Sequence, residues 1–354
     1  MSEMTKLPVN RASLRATLLA TACGAALFAA AYRSVPAMAS DDNQPMVWVE
    51  LGGSFAQLDN GQETYLPPFT RTAPRLPFIT VPPPDIEKGM PTSWDGNAKL
   101  TFEPSGMDWI LSAGIVYGRS TRKGDLRQQT AQRSHKYSGR YAGYQSIAAR
   151  NDDSHLILDF QAGKDVGLGM FGNNGHSKVN VGIRYAQLDS NRSVNIHYQP
   201  TNNQHNYNRF YGSLYAKHKF TGVGPSLSWD ASAGLLGDAG GGISLDWGLN
   251  GAVLFGRQKL TGHHLTSGYA IFYSGAAKHL IYQHSFPLDR SKQVIVPNLG
   301  GFAGVSWRYP NAKISMGYRA DMFFGAIDGG IDTAHRENVG FYGPFATISI
   351  GFGE

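Results

Sequence analysis

The chain has 354 residues, a formal net charge of +6, a single cysteine and 43 glycines, and aromatic residues make up 12% of it. Its mean hydropathy is −0.28, and no apolar segment of about 18 residues follows residue 39, which excludes a bundle of transmembrane helices. One cysteine excludes a disulfide framework, and so small a net charge gives no support to binding of nucleic acid.

Residues 1–39 predict an export signal. Lys6, Arg11 and Arg15 supply a basic start, a stretch of small apolar residues follows, and Ala37-Met38-Ala39 has the small-x-small pattern of a cleavage site. The apolar stretch is too short and too rich in alanine for a membrane-spanning helix. We therefore expect cleavage after Ala39 and a mature chain of residues 40–354.

Ten segments follow in which apolar side chains alternate with polar or small ones. A period of two is typical of strands with one apolar face, because successive side chains point to opposite sides. In the fifth segment, for example, Val181 and Ile183 oppose Gly182 and Arg184. The ten segments are residues 47–58, 94–103, 108–118, 154–163, 178–188, 220–231, 242–257, 299–309, 312–325 and 341–352.

The links between these segments alternate between short and long. The short links are 104–107, 164–177, 232–241 and 310–311, and the long ones are 59–93, 119–153, 189–219, 258–298 and 326–340. Short periplasmic turns, longer extracellular loops and an even strand number are typical of bacterial outer-membrane barrels. The sequence predicts an all-β transmembrane antiparallel barrel of ten strands. A soluble β-sandwich remains the alternative, and hairpin strands at 210–220 and 269–282 would raise the number to twelve.

The first long link has a composition of its own. Eight prolines lie between residues 59 and 93, and the alternation is absent there. Proline removes donors from strand ladders and favours extended polyproline geometry. We interpret this segment as an extracellular loop or as a plug that folds into the lumen.

The polar faces of the predicted strands define a lumen with balanced charge. Six acids and six bases face it, which favours mutual pairing across neighbouring strands over a charge-selective filter. The predicted lumen-lining residues are Glu50, Lys99, Glu103, Asp159, Lys178, Arg184, Asp230, Asp246, Arg308, Lys313, Arg319 and Asp321. Because ten strands leave little interior space, we expect at most a narrow pore.

The C-terminal half contains an ordered set of glycine-rich motifs. They are Gly222-Val223-Gly224-Pro225 with Asp230, then Gly251 to Gly256, then Gly317-Tyr318-Arg319 and Gly343-Pro344-Phe345. This order resembles the pore-forming major outer-membrane proteins of the Legionella type over residues 219–354. The resemblance implies a barrel with porin activity and transfers no catalytic residues. Two features depart from the family pattern. The only cysteine, Cys23, lies in the export signal, so the mature chain has none for crosslinks between subunits. Residues 59–153, with their proline-rich segment, have no counterpart that we recognise.

Three alternative sites are weak. Asp152-Asp153 with His155 could form a protease-like group at the extracellular rim, but adjacent acids are more typical of exposed loops. Ser154 and His155 are neighbours on one strand and point to opposite faces, so they cannot form a phospholipase pair. His263-His264 lacks the carboxylates of a metal site. We expect no enzyme, no metal and no cofactor.

Two functions remain as hypotheses. The first is a narrow pore for passive passage of small solutes. The second is a structural or adhesive surface barrel, because the five external links together exceed roughly 100 residues. Phe352 is the expected insertion signal, since a C-terminal aromatic residue anchors the last strand at the periplasmic interface. The expected partners are outer-membrane lipids and the barrel-assembly machinery, and a homo-oligomer remains open.

Overall fold

A computed structural model describes residues 46–59, 92–105, 109–126, 129–130, 143–144, 146–166, 176–198, 206–238, 241–272, 278–330 and 334–353. Nearly all of these residues lie in strands. The strands are β1 (Met46–Asp59), β2 (Thr92–Glu103), β3 (Trp109–Leu126), β4 (Gln129–Thr130), β5 (Gly143–Tyr144), β6 (Ser146–Asp165), β7 (His176–Tyr198), β8 (Asn206–Asp238), β9 (Gly241–Phe272), β10 (Lys278–Tyr309), β11 (Ala312–Asp328) and β12 (Arg336–Gly353).

Ten of the strands close into one antiparallel barrel. Each pairs with its neighbour in chain order, and β3 pairs directly with β6, because β4 and β5 form a separate two-stranded sheet. The barrel closes where β1 pairs with β12, from Met46 opposite Gly353 to Asp59 opposite Gly340. Closure removes every sheet edge, so no ladder is left unpaired in lipid. The prediction of a ten-stranded barrel is confirmed.

The twelve-strand alternative is wrong. Residues 210–220 lie within β8, and the described residues of 269–282 belong to β9 and β10. These segments extend the predicted strands and add no hairpins.

An apolar band covers the outer face of the barrel. Large apolar side chains such as Ile183 and Leu249 are more than half exposed on this face. Aromatic side chains flank the band, with Trp109 and Tyr309 at the periplasmic end and Trp94 at the extracellular end. Apolar bands with aromatic residues at both boundaries are typical of barrels that face lipid.

Several strands are far longer than a membrane requires. β8, β9 and β10 have 33, 32 and 32 residues, whereas about 10 residues span a bilayer. The predicted long links 189–219 and 258–298 are therefore wrong, because most of their residues continue β7, β8, β9 and β10. The apolar alternation ends at the lipid boundary, but the backbone ladder needs no lipid and continues beyond it.

Two predicted segments lie outside the described residues. They are the export signal, residues 1–39, and the main part of the proline-rich segment, residues 60–91. Both stay predictions. Within the described residues, no helix is long and apolar enough to cross a membrane.

Phe352 lies on the outer face near the end of β12, opposite Val47 of β1, and its side chain is 43% exposed. We expect Phe352→Ala to lower the amount of folded protein in the outer membrane, because an aromatic ring at the interface anchors the strand. Deletion of Gly353 and Glu354 is the control and should have little effect. Quantitative blotting of membrane fractions measures both. Normal insertion of Phe352→Ala would contradict the prediction.

Candidate functional site inside the barrel

The charged residues predicted to line the lumen border two adjoining cavities. The first has a volume of about 310 Å³ and lies in the part of the barrel that the apolar band surrounds. The second has a volume of about 480 Å³ and lies nearer the periplasmic end, beside Met46 and Pro310. The first is bordered by Glu50, Lys99, Asp159, Arg184, Asp230, Asp246, Lys313, Arg319 and Asp321, and the second also by Glu103, Lys178 and Arg308.

Arg184 of β7 connects four strands across the first cavity. Its Nε and Nη2 atoms donate to the two carboxylate oxygens of Asp159 on β6, at 2.7 and 2.9 Å. Its Nη1 atom donates to Asn250 Oδ1 on β9 at 2.7 Å and to Asn298 Oδ1 on β10, and lies 4.0 Å from Asp321 Oδ1 on β11. A guanidinium with donors in a fixed fork suits this role. The side chain is only 6% exposed.

Asp246 of β9 is the centre of a second group near the periplasmic end. Arg308 Nη2 lies 3.1 Å from its Oδ1 atom, and Lys313 Nζ lies 2.5 Å from its Oδ2 atom. Ser306 donates a hydrogen bond to the same carboxylate. Two cations and a hydroxyl therefore compensate one acid at the boundary of both cavities.

Ion pairs also join strands that are not neighbours. Lys178 Nζ of β7 lies 3.1 Å from Glu103 Oε1 of β2, three strands away around the barrel. Two ion pairs join neighbouring strands as expected, Arg184 with Asp159 and Arg308 with Asp246. The contacts of Lys178 with Glu103 and of Arg184 with Asp321 instead cross the interior. Side chains that reach across the interior reduce the open space inside the barrel at this level.

A buried apolar cluster lies in the interior beyond the first cavity, toward the extracellular end. We call this cluster the apolar septum. Phe220, Leu254, Val296 and Phe323 within it are completely inaccessible to water. Its members are Ala56, Leu58, Ile157, Ala186, Leu188, Phe220, Ala252, Leu254, Val294, Val296, Phe323, Ala326, Ile327, Val339 and Phe341. Eight strands contribute to it, so the cluster joins most of the barrel wall at this level.

The septum was not predicted from the sequence, although the sequence contains a signal for it. In Val253-Leu254-Phe255 and Val294-Ile295-Val296 the alternation gives way to continuous apolar residues. Such runs indicate a strand with apolar surroundings on both faces. Phe255 and Ile295 face outward with 55% and 57% exposure, while their neighbours Leu254 and Val296 point into the barrel.

The extracellular end of the β11–β12 hairpin leans across the barrel interior. Arg290 of β10 forms an ion pair with Asp328 at 3.0 Å and also donates to the Gly330 carbonyl. His218 Nδ1 of β8 donates to the Asp328 carbonyl at 2.6 Å. On the other strand of the hairpin, Arg192 Nη2 of β7 donates to Glu337 Oε2 at 3.0 Å. These contacts hold the hairpin over the septum.

A glycine makes this bend possible. Gly325 has a φ of +65°, a conformation that residues with a Cβ atom rarely adopt. The pairing of β11 with β12 shifts between Phe323 and Ile327, and Gln258 Nε2 donates to the Gly325 carbonyl at 2.6 Å. Because the strand bends at this position, both Ala326 and Ile327 are buried.

His218 lies beyond the lipid boundary, between the outward-facing Lys217 and Lys219. Burial, with a further contribution from Arg192, lowers the pKa of His218 to about 4. A histidine in a released hairpin would have a pKa near 6.5. The contribution of His218 to the docked state of the β11–β12 hairpin is therefore fully present above about pH 6.5. It weakens as the pH falls toward 4, because only the released state of the hairpin binds the proton readily.

We expect hydrogen exchange in the hairpin to show this dependence on pH. After correction for the intrinsic rate, exchange at the amide of Gly329, which donates to the His335 carbonyl at 2.9 Å, should accelerate between pH 6.5 and 4. His218→Gln should flatten the profile while Gln258→Ala should loosen the hairpin at every pH. Exchange of the parent protein that is independent of pH in this range would contradict the prediction.

The structure assigns His155 a partner that the sequence did not reveal. Its Nε2 atom lies 3.7 Å from Asp95 Oδ2 on β2, and its ring lies against Phe341 with 3.9 Å between centroids. Asp152 is on the opposite face of the strand and forms an ion pair with Arg150. Asp153 is buried on the same face as His155, but Asp152 points away from them, so the three residues do not form one site.

The two adjacent histidines are also separated. His263 is exposed and its Nε2 atom lies 2.9 Å from Ser285 Oγ, whereas His264 is completely buried. Neighbours on a strand point to opposite faces, so they cannot bind one ion together. Among the described residues, no cluster of three or more His, Cys, Asp or Glu side chains could hold a metal.

The solved structures that match the chain are only distantly similar to it. Outer membrane protease OmpT from Escherichia coli is 11% identical, with a TM-score of 0.35, and the match covers 90% of this chain and 100% of that chain. The translocator domain of autotransporter NalP from Neisseria meningitidis is 11% identical, with a TM-score of 0.21, and the match covers 99% and 100%. No curated protein matches the chain.

A family model gives the more specific result. The model described as Legionella pneumophila major outer membrane protein precursor matches residues 114–352. This range includes the glycine-rich motifs between Gly222 and Phe345 and extends well upstream of them, which confirms the resemblance seen in the sequence. The chain is thus an outer-membrane β-barrel, and it belongs to the Legionella major outer membrane protein family.

Proposed function

We propose that this barrel is a narrow pore for small hydrophilic solutes and that the apolar septum closes it in the conformation described. The main support for this proposal is the pair of adjoining polar cavities, of about 310 and 480 Å³, inside the lipid-facing part of the barrel. A barrel with only a structural role could fill this space with packed apolar side chains, as it does at the septum. Charged groups around an open cavity suit the passage of water and small polar molecules.

The charge distribution supports a pore with weak ion selectivity. Both acids and bases border the cavities, and Asp159 and Asp246 are each compensated by at least one cation within 3.1 Å. Selective channels instead place rings of one sign at the constriction. Neutral or zwitterionic solutes of low molecular weight are therefore the substrate class that we propose.

The septum favours one alternative, a closed structural barrel that presents its extracellular segments to partners. Fewer residues are available for external loops than the sequence predicted, since most of 189–219 and 258–298 is strand. Catalysis is not part of either proposal. His155 is 3% exposed and Phe341 covers its ring, so a substrate would have to displace the septum to reach it.

Single-channel recording in planar bilayers tests the proposal. We expect brief, small openings for the parent and at least a severalfold higher open probability for Phe220→Ala/Leu254→Ala, because the double truncation removes two fully buried side chains from the septum. Val223→Ala/Phe255→Ala is the matched control, since these neighbours face outward. Absence of current from both the parent and the septum variant, with folded protein in the bilayer, would favour the structural barrel.

A further inference from the structure

Four basic residues form a compact group on the outer face of β8 and β9. Lys219 lies directly opposite Lys259 in the strand pairing. Lys217 and Arg257 lie two residues away along their own strands and therefore face the same side. We call these four residues the outer basic patch.

The patch lies at the boundary of the lipid-facing band. Phe255, which precedes Arg257 by two positions on the same face, is 55% exposed, and Val223 on β8 is 49% exposed. Ile295 of β10 lies opposite Phe255 and is 57% exposed. The cationic groups therefore begin one outward-facing position beyond the apolar side chains, at the depth where lipid headgroups meet the protein surface.

The patch has few polar contacts with the described residues around it. Across the described part of the chain, none of the four side chains forms an ion pair within 4 Å, and Arg257 Nε donates only to Ser291 Oγ, at 2.5 Å. Asp189 lies opposite Lys219 on β7 without an ion pair. By contrast, Arg150 on β6 is paired with Asp152 at 2.8 Å.

Such an arrangement is unfavourable without an external anion. Like charges directly opposite each other destabilise a strand pair. An anion shared between Lys219 and Lys259 would reverse the sign of that interaction. The patch thus has cationic donors and an apolar surface next to them on the membrane side, and the neighbouring carboxylate of Asp189 forms no close ion pair with it.

We propose that the outer basic patch binds the phosphate groups of a glycolipid of the outer leaflet. Phosphates at the headgroup level would accept charge-assisted hydrogen bonds from the lysine and arginine side chains. The acyl chains of the same lipid would pack against Val223, Phe255 and Ile295. Because the basic patch lies directly beside this apolar surface, a lipid can contact both, whereas free phosphate can contact only the basic side chains.

Titration of the delipidated full-length barrel in zwitterionic detergent, with binding counted by native mass spectrometry, tests this proposal. The probes are bisphosphorylated lipid A, the same lipid after removal of both phosphates, and inorganic phosphate. Because each basic side chain attracts the anionic phosphates, Lys219→Gln/Lys259→Gln should weaken lipid A binding by roughly tenfold or more. Removal of the phosphates should weaken binding to the parent by a similar factor.

A matched control comes from the neighbouring strand. Lys292 of β10 is exposed and lies opposite the buried Gln258, so it does not belong to the patch. Lys292→Gln should bind lipid A within about twofold of the parent, whereas Lys259→Gln alone should show a partial loss. Equal binding of the dephosphorylated lipid, or of the double variant, would overturn the proposal. Inorganic phosphate that binds as tightly as lipid A would indicate a free-anion site and would overturn the lipid assignment.

Discussion

Replacement of Arg184 by leucine is expected to lower the free energy of unfolding of the barrel by about 3–5 kcal/mol, because one partner of a buried ion pair is removed and the other stays. The Asp159 carboxylate would lose both of its guanidinium hydrogen bonds, and Asp321 would lose the nearest cation across the cavity. Asn250 and Asn298 would lose their common donor. Urea titration in detergent, followed by the heat-modifiable shift on gels, measures the change.

A triple variant separates charge from packing. Arg184→Leu combined with Asp159→Asn and Asp321→Asn removes the unpaired acids, and we expect it to recover a large part of the lost stability. If the single variant is as stable as the parent, the hydrogen bonds of Arg184 contribute nothing to the barrel. If the triple variant is as unstable as the single one, the loss comes from packing instead of charge.

Arginine at Ile115 is expected to impair assembly strongly, with a cost of about 2–4 kcal/mol near the bilayer midplane. Ile115 faces outward on β3 and is 42% exposed. Its neighbour Gly114 faces the first cavity, beside Asp159. Gly114→Arg is therefore the matched control: the same residue is introduced one position away, where it faces polar groups and a carboxylate instead of lipid.

Gly114 and Gly182 both face the interior, but only Gly114 has room for a side chain. A Cβ atom at Gly114 would meet no atom nearer than 3.9 Å, but a Cβ atom at Gly182 would lie 2.0 Å from the Phe160 carbonyl oxygen. The alternation alone makes Gly182→Arg appear tolerable, and the structure shows that this position has no room. Folded protein in outer-membrane fractions is the measurement. Equal assembly of Ile115→Arg and Gly114→Arg would mean that the two faces of β3 are assigned wrongly.

The sequence determined the parts of this protein that depend on local periodicity. All ten predicted strands exist, and Val181 and Ile183 face outward while Arg184 faces inward, because the orientation of successive side chains is a property of the strand itself. The lumen-facing charges could be identified for the same reason. Their partners could not, since the strand that Arg184 reaches across the interior depends on how the barrel closes.

Strand length and closure of the lumen were decided by the tertiary structure. The apolar alternation reports contact with lipid, so it ended near Phe255 even though β9 continues to Phe272. The septum needs Leu254, Val296 and Phe323 from three strands at one level, and pairing around the whole barrel sets that level. The bend at Gly325 brings the hairpin over the septum, because its positive φ permits a change of direction that no pattern of polar and apolar residues encodes.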